Sequence, residues 1–139
     1  MNGLVSILMP FKNTAHFLPE CLASIQNQSF SNWELIAIND HSTDQSLKVM
    51  NAWAIQDARI IVRNNVKKGI IPALQLAYGL AKGDYITRMD SDDIMKPDRL
   101  HAMVHGLGNK GHGHIAVGQV RYFSDRGSLF NSTEEDFTK

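Results

Sequence analysis

Three aspartates fall within four residues at Asp90, Asp92 and Asp93, directly after the largely apolar run Tyr85-Ile86-Thr87-Arg88-Met89. Two carboxylates about 6 Å apart repel by roughly 3 kcal/mol at an effective dielectric near 20, so solvent, a raised pKa or a cation must offset the charge. All-oxygen ligation suits Mg²⁺ or Mn²⁺, which take one or two protein carboxylates and fill the remaining positions with phosphate and water. If residues 90–92 stay extended, Asp90 and Asp92 point the same way with backbones roughly 6.5–7 Å apart, and both reach one ion only through a bend. Asp92 is therefore assigned to the metal. Asp90 joins it through a metal-bound water or turns to a ribose hydroxyl, and Asp93 is expected to face away and cap the turn from Ile94 to Asp98. The plainer alternative is a cluster of acids in a turn before a helix, where Asp favours the N-terminus.

A second group, Asn39-Asp40-His41-Ser42-Thr43-Asp44, also follows an apolar run. The Asp40 carboxylate can accept hydrogen bonds from a nucleobase N–H or a ribose hydroxyl. Ser42, Thr43 and Asp44 have the side chains of helix caps. Arg88, Lys67 and Lys68 stand near strand ends and can support a diphosphate, although solvated surface charge is the plainer reading of each lysine. His101 and His105 share a helix face but lack a third ligand at a telling spacing. His112 and His114 sit in a Gly-rich loop, Trp33 and Trp53 read as packing, and Cys21 reads as a buried, inert thiol. Neither a P-loop nor G-x-G-x-x-G occurs, which argues against an ATPase and a dinucleotide oxidoreductase.

These groups need elements to hold them. Val5 to Met9 reads as a strand covered on both faces, with a turn expected at Pro10. Phe17, Leu18, Cys21, Leu22 and Ile25 recur at helical spacing through Gln28. Trp33 to Ile38 is a second strand, and Ser42-Thr43-Asp44 caps a helix carrying Leu47, Val49, Met50 and Trp53. Arg59 to Val62 is a third strand, ended by Asn64-Asn65. Ile70 to Ala81 is a helix with Pro72 in its first turn and Gly83 at a C-terminal capping position. Tyr85 to Met89 is a fourth strand, Pro97 opens a helix through Leu107, residues 106–113 form a loop, and Ile115 to Phe123 is a last strand. From Asp125 onward the chain is polar. Strand-helix alternation means an α/β sandwich with a mostly parallel sheet, whose ligands sit beyond the carboxyl ends of the strands.

Bulk properties narrow the class. The 139 residues fit one domain, and fourteen basic side chains balance fourteen acidic ones. A nucleic-acid binder normally shows a basic excess, so nucleic acid is not an expected partner. A single cysteine allows no internal disulfide and favours a cytosolic setting. No signal peptide opens the chain, and no apolar run approaches the roughly 20 residues needed to span a bilayer.

The sequence resembles the family-two group of inverting nucleotide-sugar glycosyltransferases, specifically the first half of their A-type fold. The resemblance runs from Val5-Ser6-Ile7-Leu8-Met9-Pro10-Phe11-Lys12-Asn13 to Pro97-Asp98-Arg99-Leu100, through Ser24-Ile25-Gln26-Asn27-Gln28-Ser29-Phe30, Trp33-Glu34-Leu35-Ile36, Asn39 to Asp44 and Ala81-Lys82-Gly83-Asp84-Tyr85-Ile86. Arg88-Met89-Asp90-Ser91-Asp92-Asp93 is its most specific piece. The resemblance implies a Rossmann-like three-layer sandwich with a mixed sheet, truncated at the C-terminus. Residues 1–124 would be a nucleotide-sugar-binding domain and 125–139 a polar tail leading to the acceptor-side half. It implies that Pro10 and Phe11 border the nucleobase pocket and that Asp40 hydrogen-bonds the base or ribose. Asn13, Arg88 and Asp90 complete the nucleotide-binding set, and Asp90 and Asp92 hold Mn²⁺ or Mg²⁺.

The implied reaction moves a sugar from a nucleotide-diphosphate donor to a hydroxyl of a glycan or lipid-linked acceptor, with inversion, in the setting of bacterial polysaccharide biosynthesis. The implied location is the cytoplasm, with peripheral association to the inner face of the membrane, and a homodimer is among the assemblies a truncated sheet would allow. The sequence departs from the family pattern in three places. Asn39 stands where a first aspartate is common, and Lys12 where an aromatic residue is common. The general base for the acceptor is expected beyond Lys139, because Glu134-Glu135-Asp136 follows Asp92 too closely and reads as solvated surface. Two other readings compete: non-catalytic nucleotide-sugar binding, and a phosphate-receiver module. The latter would want an acidic pair where Pro10-Phe11-Lys12-Asn13 stands. A sugar nucleotidyltransferase would need a Gly-rich basic loop after the first strand, which is absent.

Overall fold

A computed structural model describes residues 3–108 and 110–120. Its elements alternate as β1 (Val5–Phe11), α1 (Leu18–Gln26), β2 (Trp33–Asn39), α2 (Ser46–Gln56), β3 (Ile60–Asn64), α3 (Ile70–Leu80), β4 (Tyr85–Arg88) and α4 (Arg99–Leu107). The strands form one sheet in the order β3-β2-β1-β4, and every pair is parallel. The mixed sheet and the last strand at Ile115 to Phe123 are not met among the described residues. Residues 115–120 form no strand, and 121–123 lie outside the described residues, as does the tail 125–139. Ile115, Val117 and Val120 are exposed there, and a segment with no neighbour to complete its backbone bonds cannot make a ladder.

Handedness explains the layers. From β1 the chain steps outward through β2 to β3, so right-handed crossovers put α1 and α2 on one face of the sheet. From β3 it steps back past β2 and β1 to β4, and the same handedness drops α3 onto the opposite face. One core accordingly joins Val5, Ile7, Met9 and Phe11 to α1, α2 and α4 through Leu18, Leu22, Met50, Leu100 and Val104. The other joins Leu8, Ile36 and Ile38 to Ala73 and Ala77 of α3. The central strands β1 and β2 are covered on both faces, which is why they read as nearly continuous apolar runs.

Two expectations of the sequence are corrected here. Pro10 does not start a turn: β1 continues to Phe11, with Pro10 paired against Ile38. Leu8 accepts from Met89 N at 3.0 Å and Phe11 accepts from Asp40 N at 2.8 Å. Residues of even number along β1 thus turn their backbone groups toward β4, whose ladder ends at Leu8 and Arg88. The missing N–H of Pro10 therefore faces a side with no strand left to serve. Gly83 likewise is no helix cap, since α3 ends on an extended Ala81. A Cβ at Gly83 would lie 2.6 Å from Ser6 Oγ and 2.7 Å from Leu4 O and Ser6 N. The glycine lets the chain pass against β1, where its N–H donates to Ser6 Oγ at 2.8 Å. Ser6 Oγ in turn donates to the buried Glu34, which also accepts from Lys82 N at 2.7 Å.

The amino edge of the sheet carries a charged clamp. Arg59 donates to Asp57 through Nε at 3.0 Å and Nη2 at 2.8 Å, and Gln26 Nε2 adds a third bond to Asp57 at 3.1 Å. The guanidinium also stacks 3.7 Å over the buried Trp33 ring. The Arg59 hydrogen bonds, outweighing burial, lower the Asp57 carboxyl to about 2 from 3.8. A depressed carboxylate contributes stability above its unfolded pKa and loses it as pH falls through the folded value. Unfolding free energies of the wild type and Asp57→Asn from urea titration should therefore differ by on the order of 1–2 kcal/mol at pH 6 and converge between about pH 4 and pH 2.

Candidate functional site

All four strands end on one edge because the sheet is parallel, so Phe11, Asn39, Asn64 and Arg88 open onto the same side. In parallel sheets of this kind ligands sit beyond the carboxyl ends of the strands, which makes this edge the expected ligand position. Asp40 ends β2 and Asp90 follows β4, with β1 between. Adjacent strands are about 4.8 Å apart, which puts the two strand ends about 10 Å from each other.

Asp40 is committed to the loop ahead of α3. Its Oδ1 accepts from Asn65 Nδ2 and Gly69 N, each at 3.0 Å, and Oδ2 accepts from Gly69 N at 3.2 Å. His41 Nδ1 lies 3.4 Å from Oδ1. Burial pushes the Asp40 carboxyl up, but the Gly69, Asn65 and His41 contacts together hold it below the usual carboxylate range. It is an anion with one crowded oxygen and one oxygen, Oδ2, that retains capacity for a donor. Asn39 supports the arrangement by donating to Asn64 Oδ1 at 3.0 Å and accepting from Ser42 N at 3.1 Å.

The loop after β1 is stapled to both acidic segments. Asn13 takes a left-handed φ of 51°, and its Oδ1 accepts from Thr43 N at 2.7 Å and Asp44 N at 3.3 Å. Thr14 N donates to Ser46 Oγ at 2.8 Å, and Thr14 Oγ1 donates to Ser91 Oγ at 2.8 Å. A hydroxyl of the buried Ser91 thus fixes the middle of the acidic turn to the β1 loop. Ser91→Ala should leave Thr14 without its acceptor and cost about 1 kcal/mol of stability. Mn²⁺ titrations followed by thermal shift should also show several-fold weaker stabilisation by the ion if the turn loosens.

In the turn itself, Asp90, Asp92 and Asp93 each offer an oxygen within 4.8 Å of the others. Asp93 was expected to face away and does not, because the chain bends at 91–93, where Asp93 N donates to Asp90 O at 3.2 Å. Burial, then Asp92, then Asp90 raise the Asp93 carboxyl, against a smaller lowering by Arg99. The segment beyond is pinned to α1: Met95 N donates to Ser24 Oγ at 2.9 Å, and Gln28 Nε2 donates to Lys96 O at 2.7 Å. Beneath it Cys21 is buried and its thiol is pushed up to about 12 by burial, with Asp93, Asp92 and Asp90 adding to the shift. It is the protonated, packed thiol the sequence suggested.

The remaining residues are distributed as follows. Phe11, assigned to the rim of a base pocket, is 2 % exposed within the α1-side core. Side chains alternate along β1, so Phe11 shares the buried face of Val5, Ile7 and Met9. Pro10 is half-buried at the strand end. Asn13 uses its side-chain oxygen on Thr43 and Asp44. Arg88 donates to Asp90 Oδ1 through Nε at 3.2 Å and Nη2 at 3.0 Å. Both partners are about half exposed, so the pair is worth little to stability but offsets part of the acidic charge. Ser42 and Thr43 hold the Asn13 loop instead of capping α2, whose first turn accepts help from Asp44, with Ser46 N donating to Asp44 Oδ1 at 2.8 Å. His101 and His105 stack with ring centroids 6.2 Å apart, and among the described residues no third ligand joins them. Sequence reasoning missed Asn65, Thr14, Ser46 and Ser91 as site-building residues. Only Asn65 left a signal, as a polar residue directly after a strand.

The donor set is hard, anionic oxygen in a bent turn, which fits a divalent cation such as Mn²⁺ or Mg²⁺. A family model described as Glycosyl transferase family 2 matches residues 6–138. The glycosyltransferase GlyG of Streptococcus pneumoniae serotype 4 is 33% identical over 140 residues, covering 99% of this chain and 46% of that protein. The chain spans less than half the length of such curated relatives. Among solved structures, S. aureus TarS 1-349 in complex with UDP-GlcNAc superimposes with a TM-score of 0.65 at 24% identity, over 73% of this chain and 31% of that one. The mannosyltransferase PcManGT from Pyrobaculum calidifontis, in complex with GDP-Man and Mn²⁺, gives 0.63 at 22% identity, over 68% and 29%. The α/β architecture is thus that of the A-type glycosyltransferase fold.

Proposed function

This chain belongs to glycosyl transferase family 2, and from that premise we propose that it supplies the donor-binding half of an inverting enzyme that moves a sugar from a nucleoside diphosphate to an acceptor hydroxyl. The observation that carries the reading is the common edge shared by Asp40 and the 90–93 acids, bridged by the β1 loop through Asn13 and Thr14. Asp40 Oδ2 receives a donor from the base or ribose, and the exposed acids lie one strand beyond β1, where a diphosphate would follow. Relatives solved with UDP-GlcNAc and with GDP-Man and Mn²⁺ support a nucleotide-sugar ligand and a divalent ion here.

Asp92 and Asp90 would hold the ion, with Asp93 beside them. A bound Mn²⁺ or Mg²⁺ supplies Lewis-acid stabilisation of charge on the leaving diphosphate. Arg88, already at Asp90, keeps a cation beside the turn. The base for the acceptor hydroxyl lies beyond Lys139 in this reading, and the acceptor is a glycan or a lipid-linked hydroxyl. Residues 1–124 form the donor domain and work at the cytoplasmic face of a membrane.

Isothermal titration against UDP, GDP and their sugars, with and without Mn²⁺, tests the reading. Micromolar binding that requires the ion is the expected result, and no binding to any member of the panel would defeat it. Ion-dependent binding without turnover is the outcome this reading expects of the chain by itself, which spans less than half the relatives' length.

A further inference from the structure

On its outer face α3 lacks the charged side chains of a solvated helix. The segment Ile70–Leu80 carries no charged residue over its whole length. Ala73 and Ala77 are fully buried against the sheet, while Ile71 is 62% and Tyr78 65% exposed, with Ile70 at 46% beside them. Positions 71, 75 and 78 fall on one helical stripe, with the uncharged, exposed Gln75 between Ile71 and Tyr78. A surface helix ordinarily sets charged side chains opposite its buried stripe, so an uncharged outer face with exposed Ile71 and Tyr78 marks a contact surface. Among the described residues, α3 is the helix packed on that face, and nothing covers Ile71 or Tyr78.

The flanks select the partner. Val66, Lys67 and Lys68 lead into the helix and Lys82 follows it, all exposed. No aspartate or glutamate occurs between Asp57 and Asp84, whereas Arg59, Arg63, Lys67, Lys68 and Lys82 do, in a chain whose total charge is zero. Arg59 is committed to Asp57, which leaves four cations flanking α3, while the acids at its two ends are already bonded, Asp40 to Gly69 N and Asn65 and Asp84 to Leu4 N. Two copies pairing through this face would bring lysines against lysines, which opposes a dimer here. A lipid surface with anionic headgroups matches both features: aliphatic and tyrosine side chains enter the acyl boundary while lysines reach the phosphates.

We propose that α3 docks this protein on an anionic lipid surface through Ile70, Ile71 and Tyr78, with Lys67, Lys68 and Lys82 at the headgroups. Gly69 at the head of α3 donates to Asp40, so docking brings the carboxyl edge of the sheet beside the headgroups, where a lipid-linked acceptor would present its hydroxyl. That last consequence rests on the transferase reading; the docking does not.

Flotation of the 139-residue chain with phosphatidylcholine vesicles, with and without phosphatidylglycerol, provides the test. The chain should rise with anionic vesicles and not with neutral ones. Ile71→Ser with Tyr78→Ser, and separately Lys67→Glu with Lys68→Glu, should each weaken partitioning about tenfold or more, with unchanged thermal melting. Equal flotation with neutral vesicles, no flotation, or binding untouched by the variants would overturn the proposal. So would a sedimentation result in which the wild type is a dimer that Ile71→Ser with Tyr78→Ser dissociates. Nucleotide titration of that same pair should match the wild type, which separates failure of docking from failure of the transferase reading.

Discussion

Asp92→Ala should abolish the Mn²⁺-dependent part of nucleotide-sugar binding while leaving the fold intact. The side chain is exposed and makes no hydrogen bond that the fold needs, so its removal costs little stability. Its oxygen is one of three gathered within 4.8 Å. Removing it takes from the cation a full negative charge at close range and leaves Asp90, half occupied by Arg88, and Asp93, whose carboxyl is raised. A loss of about two orders of magnitude in ion-dependent affinity, ~2.7 kcal/mol, is expected in titration calorimetry. Asp98→Ala, an exposed acid further along the same segment, is the control and should bind like the wild type. If Asp92→Ala and wild type respond to Mn²⁺ alike, the ion is not held by this turn.

Gly83→Ala should be the most damaging glycine-to-alanine change among the described residues, the one whose Cβ meets backbone below 3 Å. The added Cβ would meet two backbone atoms, Leu4 O and Ser6 N at 2.7 Å, as well as Ser6 Oγ at 2.6 Å. Backbone cannot swing aside as a flexible side chain can, so β1 and the 81–84 segment must separate. That movement also lengthens the bonds from Gly83 N to Ser6 and from Lys82 N to Glu34, loosening a buried carboxylate. Overpacking of this kind costs about 3 kcal/mol, which lowers the melting temperature by roughly 10 °C for a domain of this size. Gly79→Ala has nothing within 4 Å of its new Cβ and sits in α3, so it should be neutral or slightly stabilising. Equal melting temperatures for the two variants would show that the close approach at Gly83 is not maintained in solution.

Much of this was legible in the sequence because parallel strands covered on both faces announce themselves. VSILM and WELIAI are apolar runs of strand length, and their carboxyl ends mark where a ligand site lies in such a sheet. The acidic turn could be read too, since three carboxylates after a strand need an offsetting charge wherever they occur. Phe11 could have been placed correctly from the alternation of Val5, Ile7 and Met9; the expected turn at Pro10 obscured it. Pro10 itself could not, because a proline in a strand is acceptable only if its missing N–H faces no neighbour, and that depends on where β4 stops.

Periodicity and residue order alone determined the strand-helix alternation and the two acidic segments at strand ends, and the resemblance of those motifs pointed to the family. Tertiary structure decided how those segments are held: Asp40 by Asn65 and Gly69, Ser91 by Thr14 across 77 positions, and Asp93 by a bend that turns it toward its neighbours. The division has one physical cause. Periodicity records which side of an element is buried, whereas hydrogen-bond partners far apart in the chain depend on strand order, and no local pattern in this chain records that β4 lies against β1.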